Sequence, residues 1–196
     1  MNIALLGPPG AGKGTQSAQC LHKYQLTAIA PGNLLREHIK RGTDLGKQVA
    51  SYVNEGQLAP PELVTALIDA QIQARKNSHG FLFDGFPRTI NQAVLLEEKL
   101  LTYGEKLDGV ILLEVPEQEV KQRIRERAQP SGRADDQDEA KVATRMQIYY
   151  AETLPLAKYY EKQGKLFRVS GVGAIEAIFR RIVAVLDRLQ SDQSTA

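Results

Sequence analysis

The feature that most constrains this chain is its start. The apolar run Ile3-Ala4-Leu5-Leu6 leads into Gly7-Pro8-Pro9-Gly10-Ala11-Gly12-Lys13-Gly14-Thr15. A strand-like run, a glycine-rich turn, a lysine, a hydroxyl and a helical pattern follow in the order that a phosphate-wrapping loop needs. Gly10, Gly12 and Gly14 carry no side chain to hold a phosphate off, so backbone N–H groups can turn inward as an anion-binding nest. The helix that follows adds the partial positive charge of its N-terminus. Lys13 supplies a mobile point charge for the β- and γ-phosphates, and Thr15 is placed to touch Mg²⁺. The spacing Gly7-x4-Gly12-Lys13 meets the P-loop pattern, with Gly14 where a hydroxyl is usual and Thr15 one step later. Alone, it predicts binding of a nucleoside triphosphate.

Further apolar runs, at 26–29, 81–83, 110–115 and 166–169, alternate with helical patterns. The clearest helix carries Ile175, Ile178, Phe179, Ile182, Leu186 and Leu189 at i, i+3, i+4 spacing. This alternation predicts an α/β fold, a doubly wound parallel sheet with ligands at the carboxyl ends of its strands. With 196 residues, 42% of them hydrophobic, the chain suits one domain, 1–196. Two stretches break the alternation. Residues 30–59 hold two helical patterns split by Gly42, which predicts a small helical excursion. Residues 128–138 are polar and contain Pro130 and Gly132, which predicts a short exposed loop.

A second constellation begins at Phe81-Leu82-Phe83-Asp84, an apolar strand ending in a carboxylate. In P-loop enzymes that position holds Mg²⁺, directly or through water; the alternative is a helix N-cap. Gly85-Phe86-Pro87-Arg88 then turns tightly and presents an arginine at the same sheet edge. Arg123 and Arg127 lie four apart and share a helix face. Arg133 and Arg145 follow, and Arg36 lies in the early excursion. A lone arginine is usually solvated, but phosphoryl transfer is catalysed mainly by positioning and electrostatic stabilisation. Planar guanidinium forks around a transferring group suit that task.

Composition excludes other classes. The net charge of +2 and the lack of a long basic run argue against bulk nucleic-acid binding. The single cysteine, Cys20, excludes an internal disulfide and a Cys-rich zinc site, and fits a cytoplasmic setting. His22, His38 and His79 have no metal-ligand spacing. No apolar run approaches a membrane span, and the apolar stretch at the start stops at Gly7 without a basic region before it, unlike a signal peptide.

Several motifs together resemble the nucleoside monophosphate kinases, most closely the short-lid adenylate kinases. They are Gly7 to Thr15 followed by Gln16, Asp84-Gly85-Phe86-Pro87-Arg88, Val115-Pro116, Gly132-Arg133-x-Asp135-Asp136, and Tyr150-x-x-x-Thr153-x-Pro155. The resemblance covers essentially the whole chain. It implies a five-stranded P-loop core, a monophosphate-binding insertion at 30–59 and a short lid at 128–138. It implies reversible, Mg²⁺-dependent phosphoryl transfer from ATP to AMP, without zinc, by a monomer. It assigns Gly10, Ala11, Gly12, Lys13, Gly14 and Thr15 to the triphosphate, Arg123 and Gly173 to the ATP base, and Arg127 to its phosphates. Arg36 and Arg88 clamp the monophosphate, while Arg133 and Arg145 bridge the transferring group. Pro31, Gln57, Leu58 and Ala59 line the acceptor nucleoside, Gly85, Phe86 and Pro87 belong to the same substrate-binding set, and Gln92 reads its base. Thr15 and Asp84 hold Mg²⁺.

Three positions depart from the family pattern. Pro31 stands where a hydroxyl residue is usual, and Asn33 where a carboxylate is usual. The Asp136–Arg145 interval is one residue longer than the family implies, a rotation of about 100° if the helix is regular. Pyrimidine monophosphate kinases share the missing hydroxyl, but Thr89 and Gln92 follow the adenylate pattern. A kinase for another small metabolite, with Asp84 as a base, and a nucleotide-binding protein without turnover are the other readings the sequence allows.

Overall fold

The structure is a computed structural model and describes residues 1–75, 78–131 and 134–194. The apolar segments form five strands: β1 (Ile3–Leu6), β2 (Thr27–Ile29), β3 (Phe81–Asp84), β4 (Gly109–Glu114) and β5 (Leu166–Ser170). They pair in parallel in the order β2-β3-β1-β4-β5. Parallel sheets are covered on both faces, which is why these strands read as nearly continuous apolar runs rather than alternating ones.

The helices are α1 (Lys13–Tyr24), α2 (Pro31–Lys40), α3 (Asp44–Asn54), α4 (Pro61–Ala74), α5 (Ile90–Thr102), α6 (Glu117–Ser131), α7 (Glu139–Ile148), α8 (Pro155–Glu161) and α9 (Ile175–Ser194). The period of two splits the strand side chains between two cores. Ala4, Leu6, Phe81, Phe83, Val110 and Leu112 meet Ile68 and Ile72 of α4, Leu96 and Leu100 of α5, and Leu156 and Tyr160 of α8. On the other face Ile3, Leu5, Leu82, Ile111 and Leu113 meet Cys20 of α1 and Ile178, Ile182 and Leu186 of α9. Cys20 is thus a core residue, and burial pushes its thiol up to about 12, where it carries no thiolate at neutral pH. Of the residues expected on the α9 apolar face, Ile175 instead lies exposed at the first turn.

The two helical patterns in 30–59 fold as α2 and α3. Gly42, at φ +64°, lets the chain reverse between them, and the Thr43 hydroxyl accepts the Gly46 N–H at 3.1 Å to cap α3. Residues 128–138 correct the expectation of an exposed loop. Helix α6 runs to Ser131, Ala134–Asp136 form a 3₁₀ turn, and Asp135 and Asp136 are buried. The reason is electrostatic: both carboxylates turn inward onto arginines, so polar composition here marks an ion-pair network rather than solvent exposure. Gly132 and Arg133 lie outside the described residues.

Candidate functional site

Strand pairing assembles the site. Leu5 of β1 lies opposite Asp84 of β3, and the Gly85 N–H donates to the Leu5 carbonyl at 3.1 Å. The glycine-rich loop and the Asp84-to-Arg88 turn therefore leave the sheet side by side at its carboxyl edge. The loop needs its glycines. Gly10 has φ +81°, and a Cβ there would come within 2.8 Å of Ile124 Cγ1 and 3.1 Å of the Val120 carbonyl on α6. Gly12 has φ +87° and precedes the first turn of α1.

Lys13 folds back over its own loop, donating to the carbonyls of Gly7 at 2.8 Å and Pro8 at 2.9 Å. Burial lowers its pKa to about 7. Asp84 opposes that shift, and Arg88, Arg145 and Arg127 reinforce it. Cations gathered around a lysine make a strongly anion-seeking pocket. A Cβ on Gly14 would lie 3.7 Å from Asp84 Oδ2, so the missing side chain leaves the space between α1 and that carboxylate open.

A cleft of about 330 Å³ runs along this edge. Its walls include Gly10, Ala11, Gly12, Lys13, Gly14, Thr15, Asp84 and Gly85, together with Arg36, Arg88, Arg127 and Arg145. A neighbouring hollow is lined by Pro31, Gln57, Leu58, Ala59, Phe86 and Gln92, and shares Arg36, Gly85, Arg88 and Arg145 with the cleft. The structure thus brings the expected triphosphate and monophosphate residues into adjoining spaces with shared cations between them. Pro87 is buried beside Phe86 and lines neither space.

Each arginine is held by a particular partner. Arg36 donates from Nη2 to the Asn33 side-chain carbonyl at 2.6 Å, so the amide at position 33 keeps an acceptor facing it. Arg88 Nε donates to the Gly85 carbonyl at 2.8 Å. The Thr153 hydroxyl donates to the Arg88 carbonyl at 3.0 Å, and Gln92 Oε1 accepts the Arg88 N–H at 2.8 Å. Arg127 grips Asp136 with two bonds of 2.8 and 2.9 Å. Arg145 Nη1 reaches Asp136 Oδ1 at 2.5 Å and Asp135 Oδ2 at 3.0 Å. The longer Asp136–Arg145 interval therefore does not turn Arg145 away from the cleft; residues 137 and 138, between the 3₁₀ turn and α7, take up the spacing.

Arg123 and Gly173 line neither space among the described residues. Arg123 lies just beyond the glycine-rich loop, donating to the carbonyls of Ala11 at 3.5 Å and Gly171 at 2.9 Å and pairing with Glu119. Gly173, at φ +107°, is exposed in the β5–α9 connection. Sequence reasoning gave no role to Thr153, Asp135 or Asp136, although all three sit inside motifs it quoted. It also missed the contact between segments 30–59 and 134–145. Lys141 pairs with Glu55 at 3.1 Å, and a Cβ on Gly56 would come within 2.8 Å of Arg145 Cγ. Nothing local in the sequence signals a pairing across that separation.

The donor set at the sheet edge suits a nucleotide-bound divalent cation rather than a protein cage. Asp84 is one carboxylate and Thr15 one hydroxyl, and among the described residues no group of three or more His, Cys, Asp or Glu could hold an ion alone. Mg²⁺ typically takes one or two protein oxygens and completes its shell with phosphates and waters.

Comparison with known proteins supplies the family. The family model described as adenylate kinase matches residues 5–165. A protein named adenylate kinase from Flavobacterium johnsoniae is 43% identical over 189 residues, covering 96% of this chain and all of that protein. One of the same name from Phocaeicola vulgatus is 41% identical with the same coverage. Another, from Syntrophobacter fumaroxidans, is 40% identical over 212 residues, covering 95% of this chain and all of its own length. A glycine-rich loop at the sheet edge, four arginines lining the same cleft and full-length likeness converge on one conclusion: this chain belongs to the adenylate kinase family.

Proposed function

We propose that the chain catalyses reversible transfer of the terminal phosphoryl group of ATP to AMP, giving two ADP. The observation that carries this reading is the pair of adjoining spaces bordered in common by Arg36, Arg88 and Arg145. Two anionic ligands placed there would meet end to end, with cations on both sides of the junction. Family membership makes the chain a phosphotransferase.

In this reading the 10–15 loop wraps the ATP phosphates, with Lys13 on the β- and γ-groups and Arg127 beside them. Arg123 and Gly173 border the ATP base. Arg36 and Arg88 clamp the AMP phosphate, Pro31, Gln57, Leu58 and Ala59 line its nucleoside, and Gln92 reads its base through an amide that offers both donor and acceptor. Gly85, Phe86 and Pro87 fix the turn that aims Arg88. Arg133 joins Arg145 at the transferring group. The attacking AMP oxygen is already largely ionised near neutral pH, so no side chain has to remove a proton. The arginines and Lys13 hold the two phosphates in line and neutralise charge in the transition state. Thr15 and Asp84 would hold Mg²⁺, which neutralises phosphate charge when bound with ATP.

Segments 30–59 and 128–138 act as covers over acceptor and donor. The Glu55–Lys141 and Gly56–Arg145 contacts support that view, since they tie the first segment to α7, the helix that directly follows the second. Such closure keeps water from competing as acceptor. The protein works as a monomer in the cytoplasm. The lone buried thiol Cys20 fits a reducing compartment. No described helix is long and apolar enough to cross a membrane. Initial rates of ADP formation from MgATP with AMP, GMP, CMP or UMP test the assignment: AMP should be strongly preferred, and a preference for UMP or CMP would show that the acceptor hollow reads a pyrimidine.

A further inference from the structure

The β5–α9 connection is held in an unusual way. It runs through Ser170, Gly171, Val172, Gly173 and Ala174 into α9, and its carbonyls are taken up one after another. Arg181 Nη1 donates to the Ser170 carbonyl at 2.9 Å and to the Val172 carbonyl at 2.8 Å. Arg123 Nη2 takes the Gly171 carbonyl at 2.9 Å. The Ala174 carbonyl accepts the N–H groups of Ala177 and Ile178, at 3.0 and 3.1 Å. At the start of α9, Gln16 Nε2 donates to the Ile175 carbonyl at 3.0 Å and ties the helix to α1. Among the described residues Gly173 alone in this run keeps a carbonyl that accepts nothing. Its φ of +107° is a conformation that a side chain would resist, so the exposed carbonyl is imposed by the backbone path. Val172 and Ile175 flank it with exposed apolar surface.

Arg181 lies in the second turn of α9. Helix side chains lean toward the N-terminus, so it reaches back over the connection that feeds its own helix. Its two bonds are charge-assisted. An exposed arginine spent on two backbone carbonyls fixes loop geometry rather than surface charge.

We infer that Arg181 is a positioning residue that aims the Gly173 carbonyl and thereby makes the donor site select a 6-amino purine over a 6-oxo purine. This rests on the reading above that Gly173 borders the ATP base. Adenine presents a 6-amino donor and guanine a 6-oxo acceptor at the same place. A fixed carbonyl bonds the first and repels the second, and a site built around a hydrogen bond discriminates strongly only while its geometry holds. Release of the Ser170 and Val172 carbonyls lets the connection turn and the Gly173 carbonyl lose its aim.

The test compares ATP and GTP as donors, at saturating AMP, for the unaltered protein and for Arg181→Ala, Arg181→Lys and the neighbouring surface variant Arg180→Ala. Arg181→Ala is expected to raise the KM for ATP about tenfold and to cut the ATP-over-GTP ratio of kcat/KM by a similar factor, the scale of one charge-assisted hydrogen bond. The KM for AMP should hold within about twofold, since the acceptor hollow lies elsewhere. Arg181→Lys, with three donors on one nitrogen, should restore most of the loss, and Arg180→Ala should change nothing. If the unaltered protein prefers ATP but Arg181→Ala leaves that preference intact, the role of Arg181 is overturned, whichever group reads the base. If the unaltered protein uses ATP and GTP equally, both fall together.

Discussion

The Asp136 carboxylate receives Arg127 through two near-parallel bonds, Nε to Oδ2 at 2.8 Å and Nη2 to Oδ1 at 2.9 Å. The same carboxylate meets Arg145, and its side chain is fully enclosed. One buried anion therefore sets the position of two cations that line the cleft. Removing one partner of such a network leaves the others desolvated and uncompensated. Asp136→Ala should lower the unfolding free energy by about 3 kcal/mol and reduce kcat/KM well beyond tenfold. Urea unfolding followed by steady-state kinetics measures both, and a loss of stability under about 1 kcal/mol would show that the arginines are held by something else.

Lys13 gives the site a pH signature. Burial, aided by Arg88, Arg145 and Arg127 and opposed by Asp84, leaves it with a pKa of about 7. In the empty protein it loses its proton as pH rises through that value. A triphosphate favours the charged form and raises the pKa, so binding near pH 8 should take up close to one proton. ATP affinity should then weaken as pH climbs from 7 to 9, by up to about tenfold per pH step. Calorimetric titration in buffers of different ionisation heat reads the uptake directly. Lys13→Met should abolish it; an unchanged buffer dependence in that variant would place the proton on another group.

Gly56 sits at φ +73° with Arg145 packed against it. Gly56→Ala forces a side chain into a backbone region that disfavours it and against both Arg145 Cγ and the Lys141 carbonyl. A cost of about 1–2 kcal/mol is expected, with kcat reduced because Arg145 shifts from its aspartates. Thermal unfolding and kcat should move together, and a fall in Tm with kcat untouched would show that the Gly56–Arg145 contact is structural only.

Gln92 carries a double task. Its Oε1 already accepts the Arg88 N–H, and its amide faces the acceptor hollow. Gln92→Leu should raise the KM for AMP about tenfold or more and also cost about 1–2 kcal/mol, since the Arg88 N–H loses its partner in a buried place. Parallel kinetics and urea unfolding separate the effects. A stable variant with unaltered KM for AMP would remove Gln92 from base recognition.

Much of this was legible in the sequence because its signals are local. The five strands and α9 follow from apolar period, and the 10–15 loop from glycine, lysine and hydroxyl spacing. The part that escaped depends on distant partners. Residues 128–138 read as exposed because Asp135, Asp136 and their neighbours are polar, yet Arg127 and Arg145 draw the two carboxylates inside. The Thr153 bond to the Arg88 carbonyl spans 65 residues and is delivered by a π-helical turn at Tyr149–Thr153 that no spacing rule announces. Arg181 was invisible for the same reason. Its partners are backbone carbonyls, which every residue has, so only the fold reveals which ones it meets.

Direct passage of the phosphoryl group from ATP to AMP inside the cleft leaves a distinct product signature. ³¹P NMR of the protein with Mg²⁺, ATP and AMP reads it. Two ADP should form for each AMP consumed, with little inorganic phosphate, and the same final mixture should arise when the reaction starts from ADP alone. Loss of ATP with matching release of inorganic phosphate and no loss of AMP would mean that water, not AMP, is the acceptor.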